Sequence, residues 1–136
     1  MELRVLGPLE VTDRGARVAL GGRKQRALLA RLVLDLNRTV AVERLIDDLW
    51  GDEAPPSAAK MVQIHVSQLR KVLPDGTLQT KPPGYMLVGD AEGVDATRFR
   101  SLRESGRAAL AEGDAARSAA RLREALGLWR GAPLAE

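Results

Sequence analysis

Apolar and polar positions along this chain change period in a fixed order: strand-like first, then helical three times, strand-like again, and helical to the end. Residues 2–6 form a β-favourable run stopped by Gly7-Pro8, residues 9–11 alternate, and Asp13-Arg14-Gly15 signals a turn before residues 16–20. These predict a small antiparallel sheet. Leu28, Leu29, Leu32, Val33 and Leu36 recur at helical spacing, which predicts a helix over 23–36 behind Gly21-Gly22. After a short extended piece at 39–41, Val42, Leu45, Ile46 and Leu49 share one face of a second helix over 42–50. Gly51 stops it.

Pro55 and Pro56 forbid helix continuation, and Ser57 is positioned to cap a third helix over about 58–73, which Pro74 bounds. Two strands follow, at 77–81 and 85–88, around Pro82-Pro83-Gly84. A linker over 89–93 leads to two more helices, at 96–111 and 115–128. The fold class is therefore α+β. A small N-terminal sheet, three helices and a β-hairpin wing have the layout of a winged helix-turn-helix, here followed by a helical pair. The predicted domains are 1–90, a DNA-binding domain, and 91–136, the beginning of a helical domain.

The third helix carries the candidate chemistry. At about 100° per residue, Val62, Val66, Leu69 and Ala59 fall on one apolar stripe. Opposite it lie Lys60, Ile64, Ser67 and Lys71, with Gln68 beside them; His65 and Arg70 flank the face. Lysine can donate to guanine acceptors, glutamine can pair with adenine, serine can do either, and isoleucine can touch a thymine methyl. His65 and Arg70 are placed to reach phosphates. No acid lies on this helix. An amphipathic surface helix would carry similar charges, but an isoleucine central in a polar face fits a face that meets another molecule.

Charge distribution changes the picture more than its total. The chain has 136 residues with 21 basic and 18 acidic, a formal net charge of +3. Residues 43–53 hold five acids against one base, while residues 54–74 hold three bases and no acid. That reversal assigns one surface to an anion and another to something else. Asp47, Asp48, Asp52 and Glu53 fit a metal site, a solvated face or a protein contact. Arg23 and Lys24 open a helix whose N-terminus can hold a DNA phosphate, although simple solvation is equally consistent. Lys81 stands at the tip of the wing, near DNA or free in solvent. Trp50 and Trp129 each read as core.

Other classes are disfavoured. Hydrophobic residues are 45% of the chain, enough for a core, and aromatics only 3%. There is no cysteine and one histidine, so neither a cysteine-ligated metal site nor a nucleophile–base pair is visible, and no cofactor is expected. No run reaches the roughly 18 apolar residues of a membrane span. A soluble, cytoplasmic, nucleoid-associated protein without catalytic activity is expected. The rival reading is a protein-interaction module built on the winged helix and the helical pair, without specific DNA binding.

Four motifs in order carry a resemblance: Arg23-Lys24-Gln25-Arg26-Ala27-Leu28-Leu29; Val42-Glu43-Arg44-Leu45-Ile46-Asp47-Asp48-Leu49-Trp50-Gly51 with Pro55-Pro56; the helix from Ala59 to Arg70; and Pro82-Pro83-Gly84-Tyr85. The chain resembles the Streptomyces antibiotic regulatory protein family, whose DNA-binding part is an OmpR-type winged helix. The resemblance implies transcriptional activators, often of secondary-metabolite (antibiotic) gene clusters. It implies side-by-side protomers on promoter direct repeats, and contact with RNA polymerase. Positions matching the family's DNA contacts are Lys60, Ile64, His65, Ser67, Gln68, Arg70 and Lys81. The loop Gly51, Asp52, Glu53, Ala54, Pro55 and Pro56 matches the region that faces polymerase. Residues 94–133 are similar to the start of a tetratricopeptide-like bacterial transcriptional activation domain. One helical pair is present where such arrays need several repeats, which implies a piece of a longer protein or a naturally short member.

Overall fold

The computed structural model describes residues 1–131 and Leu134. Ala132 and Pro133, at the end of the segment assigned to the helical domain, lie outside the described residues. The chain forms two compact units: Met1 with Val11–Gly89, and Glu2–Glu10 with Asp90–Glu136.

In the first unit, residues 11–13 of β2 (Glu10–Asp13) run antiparallel to β3 (Ala16–Arg17), matching Thr12 to Arg17 and Asp13 to Ala16. Arg14 and Gly15, both at positive φ, turn the chain between them. Helix α1 (Arg23–Leu34) follows, then the short strand β4 (Val40–Ala41), α2 (Val42–Trp50), a 3-10 turn (Gly51–Glu53) and α3 (Ala58–Val72). The apolar stripes expected from the periodicity meet: Leu28, Leu29, Leu32 and Val33 of α1, Leu45 and Leu49 of α2, and Val62, Val66 and Leu69 of α3 are buried. At the start of α3 the buried residue is Ala58, not Ala59: Ala58 lies one turn before Val62 on the same face, about 40° from it, whereas Ala59 lies about 60° off at the edge of the stripe and is exposed. Ser57 occupies the N-cap position, but its side chain makes no capping hydrogen bond.

The hairpin closes the unit. β5 (Leu78–Lys81) and β6 (Gly84–Leu87) pair antiparallel with Thr80 opposite Tyr85 and Lys81 opposite Gly84. The extended piece before α2 is the third strand of this sheet, whose order is β4-β6-β5. Asn37, at φ 66°, holds the far end: its side chain donates to the Gly89 carbonyl oxygen at 2.9 Å and accepts from the Gly89 amide at 3.0 Å. Arg31 ties α1 to α2 through Asp48 at 2.5 Å and also binds Asp35 at 2.6 Å. Hydrogen bonding to Asp35 and then to Asp48 raises its pKa above the ordinary arginine value.

In the second unit, Leu3 of β1 (Glu2–Arg4) bridges in parallel to Val94, and Leu3, Val5, Leu6 and Leu9 are buried. Helices α4 (Asp95–Ala111) and α5 (Ala115–Leu126) pack together through small residues, with Gly106, Ala109, Ser118 and Ala125 all buried. Asp114 caps α5 by accepting from the Arg117 amide at 3.0 Å. Trp129 lies beyond α5 and is 39% exposed, edge-on to Phe99 with ring centroids 5.5 Å apart. It is therefore a half-open ring contact and not the core residue expected. Among the described residues no helix is long and apolar enough to cross a membrane.

Candidate nucleic-acid interface

Burying Val62, Val66 and Leu69 against the other helices fixes which side of α3 remains outside. Lys60, Ile64, Ser67, Gln68 and Lys71 are all exposed on it, as is Gln63. Ile64 is 51% exposed although it is a large apolar side chain. Lys81, at the end of β5, is exposed beside the Pro82-Pro83 turn. Arg23 is exposed at the start of α1. No described residue forms an ion pair with Lys60, Lys71, Lys81 or Arg23, so these four cations face solvent with their charge uncompensated by the protein. The adjoining 51–56 loop is exposed apart from the half-buried Pro55. No group of three or more acidic, histidine or cysteine residues able to hold a metal occurs among the described residues.

Three residues expected to meet phosphate make contacts within the protein: Lys24 and His65 are half-buried, and Arg70 is exposed. Lys24 Nζ donates to the Leu49 carbonyl oxygen and lies over the Trp50 ring, 5.2 Å from its centroid. A cation there satisfies a carbonyl at the negative end of α2. That use occupies one of the three Lys24 donors and makes Trp50 a half-buried platform, not a core residue. His65 Nδ1 lies 3.3 Å from Gln25 Oε1, and its Nε2 is buried without a partner among the described residues. The imidazole is thus packed against α1, with Nε2 buried and Nδ1 facing Gln25. Arg70 donates from Nε to the Leu78 carbonyl oxygen at 3.0 Å and from Nη2 to Thr80 Oγ1 at 2.7 Å. Its guanidinium carbon is 5.9 Å from the Tyr85 ring centroid.

Residues that support this surface were not singled out by sequence reasoning. Gln25 Nε2 also donates to the Leu20 carbonyl oxygen at 2.9 Å. The same amide lies over Gly21, where a Cβ would come within 2.6 Å of it and the backbone φ is +88°. Only glycine combines that space with that conformation. Thr80 and Gly84 position the wing. The signal for Gly84 was its place in Pro82-Pro83-Gly84-Tyr85 and that for Gln25 its place in Arg23-Lys24-Gln25-Arg26; Thr80 gave none.

Burial lowers the His65 pKa below its ordinary 6.5. The unfolded chain, near 6.5 at this site, then binds the proton more readily than the folded one. The contribution of neutral His65 is complete above about pH 6.5 and is lost as pH falls below it. Urea midpoints measured from about pH 7 to about pH 5 are expected to decline below about pH 6.5, and to decline less in His65→Gln. Equal pH dependence in the two proteins would contradict the burial of this ring.

Comparison with known proteins follows the same division. Residues 15–87 match the family model described as "Transcriptional regulatory protein, C terminal", and residues 94–136 match the "Bacterial transcriptional activator domain". The chain is 38% identical over 143 residues to Transcriptional regulatory protein MoaR1 of Mycobacterium tuberculosis, covering 100% of this chain and 46% of that protein. It is 42% identical over 132 residues to Regulatory protein AfsR of Streptomyces coelicolor, covering 96% of this chain and 13% of that one. The solved structure titled "Mycobacterium tuberculosis EmbR in complex with low affinity phosphopeptide" superposes with a TM-score of 0.91 at 37% identity, over 98% of this chain and 37% of that one. The chain spans less than half the length of these relatives.

Proposed function

Because the chain belongs to the family of Streptomyces antibiotic regulatory proteins, OmpR-type transcriptional regulators carrying a bacterial transcriptional activator domain, we propose that it binds double-stranded DNA sequence-specifically and activates transcription. The family and these relatives are transcription regulators, not enzymes. The carrying observation is the exposed, acid-free face of α3, with Ile64 open to solvent between unpaired lysines. Lys60 and Lys71 supply charge, Gln68 and Ser67 hydrogen-bonding edges, and Ile64 an apolar contact, which together suit a major groove. Lys81 and Arg23 add phosphate or groove contacts from the wing and from α1.

Side-by-side protomers on promoter direct repeats, regulation of a secondary-metabolite cluster, and contact of the 51–56 loop with RNA polymerase complete the reading. The exposed acidic groups Asp52 and Glu53 support the last point.

The test is an anisotropy titration against promoter DNA carrying direct repeats about one helical turn apart, at several salt concentrations, with random DNA as competitor. Repeat DNA is expected to bind more tightly than random DNA. Lys60→Ala and Lys81→Ala should each weaken binding and reduce the magnitude of the salt slope by about 0.9 if they meet phosphate. Gln68→Ala should shift base preference by about 1–3 kcal/mol at one position. Equal affinity for repeat and random DNA would refute the sequence-specific reading and favour a protein-contact module.

A further inference from the structure

Arg70 does something that a phosphate contact does not require. It leaves the last turn of α3 and reaches the wing at three places. Nε donates to the Leu78 carbonyl oxygen, Nη2 donates to Thr80 Oγ1, and the guanidinium lies against the ring of Tyr85. Leu78 and Thr80 belong to β5 and Tyr85 to β6, where Thr80 and Tyr85 are direct cross-strand partners. One planar fork therefore holds both strands of the hairpin to the C-terminal turn of the reading helix. Lysine has no such geometry, since its single ammonium cannot donate along two fixed directions and stack at once.

We propose that Arg70 is a positioning residue: it locks the wing to α3 so that Lys81 and the α3 face meet DNA as one rigid surface. The proposal rests on the DNA-binding reading above and assigns a regulating tether within that same site. A hairpin of two four-residue strands joined by two residues has little stability of its own. Its inner strand β6 is pinned to β4, but β5 is the edge strand and carries Lys81. Arg70 reaches β5 from the helix with two hydrogen bonds. Without it, ordering the wing on DNA would draw on binding free energy.

Two variants separate tether from phosphate contact. Thr80→Val keeps the shape of the side chain and every charge but removes the acceptor for Nη2. Arg70→Gln removes the guanidinium. A positioning role predicts that Thr80→Val weakens binding to repeat DNA with an unchanged salt slope, and that Thr80→Ser restores it. It further predicts that Arg70→Gln and Lys81→Ala are strongly non-additive, because an untethered wing has already lost the benefit of Lys81. An independent phosphate contact predicts the reverse: Thr80→Val binds like the wild type, the two changes add, and Arg70→Gln alone reduces the magnitude of the salt slope by about 0.9. That result would overturn the proposal.

Hydrogen exchange in the free protein gives a reading without DNA. The amides of residues 78–87 should exchange faster in Thr80→Val and in Arg70→Gln while those of α1 keep their protection. Unchanged wing exchange would overturn the tether even if DNA binding fell. If the wild type bound no DNA at all, the functional reading would fail, and the exchange result would still decide whether the tether exists.

Discussion

Gly84→Ala is expected to detach the wing and eliminate specific DNA binding. A Cβ at this position would fall 1.8 Å from the Val40 carbonyl oxygen, 2.7 Å from the Val40 carbonyl carbon and 2.8 Å from the Ala41 Cα. All three are backbone atoms, so no rotamer change relieves the collision. Here β4 and β6 must separate. With them go the pairing of Val40 with Tyr85 and of Ala41 with Gly84, and the bond from the Val42 amide to the Pro83 carbonyl oxygen at 3.2 Å. Val42 is the first residue of α2, so the disturbance enters the helical core as well. Overpacking a well-filled site costs about 1–3 kcal/mol when side chains can move. A backbone collision belongs at or above the upper end, about 3 kcal/mol or more. Thermal unfolding followed by circular dichroism, with DNA binding on the same preparation, measures it. An unchanged melting temperature together with wild-type affinity would show that β4 and β6 are not this close.

The residues that the sequence placed correctly share a property: local periodicity determines them. The stripe Val62-Val66-Leu69 is visible because 3.6-residue spacing alone puts it on one face. The exposed positions Lys60, Ile64, Ser67, Gln68 and Lys71 follow as its complement. A wheel gives an angle about the helix's own axis and nothing about the neighbour waiting at that angle. His65 and Arg70 lie on the flanks, where tertiary contact decides. Gln25, 40 positions away in sequence, takes one of them, and the wing takes the other. The contact that Lys24 makes was hidden for a related reason. Its place in the first turn of α1 suggested an anion site, but the carbonyl end of α2, 25 positions on, claims the ammonium. The same limit hides the surroundings of residues 2–10, whose strand-like pattern says nothing of a partner some 90 positions later.

That partner is Asp95, and its replacement by alanine is expected to unfold the helical unit at markedly lower temperature. Asp95 begins α4 and is only 6% exposed. One carboxylate oxygen accepts from the Val5 amide at 2.8 Å and the other from the Leu6 amide at 3.1 Å. The negative charge also sits at the positive end of the helix dipole. Alanine would leave two amide donors facing apolar neighbours, with Val5 and Leu6 themselves buried. An unsatisfied buried donor costs about 1–3 kcal/mol, so the two together should cost about 3 kcal/mol or more. Asparagine keeps the shape but offers one oxygen, and its amino group would face the second amide donor. Asp95→Asn should therefore recover only part of the loss. Melting measured by circular dichroism, with hydrogen exchange of the Val5 and Leu6 amides as the local readout, tests both variants. Fast exchange at these amides in Asp95→Ala, slower in Asp95→Asn and slowest in the wild type, is the order that two carboxylate hydrogen bonds require. Equal exchange in all three would mean that the first strand is held by burial of Leu3, Val5 and Leu6 alone.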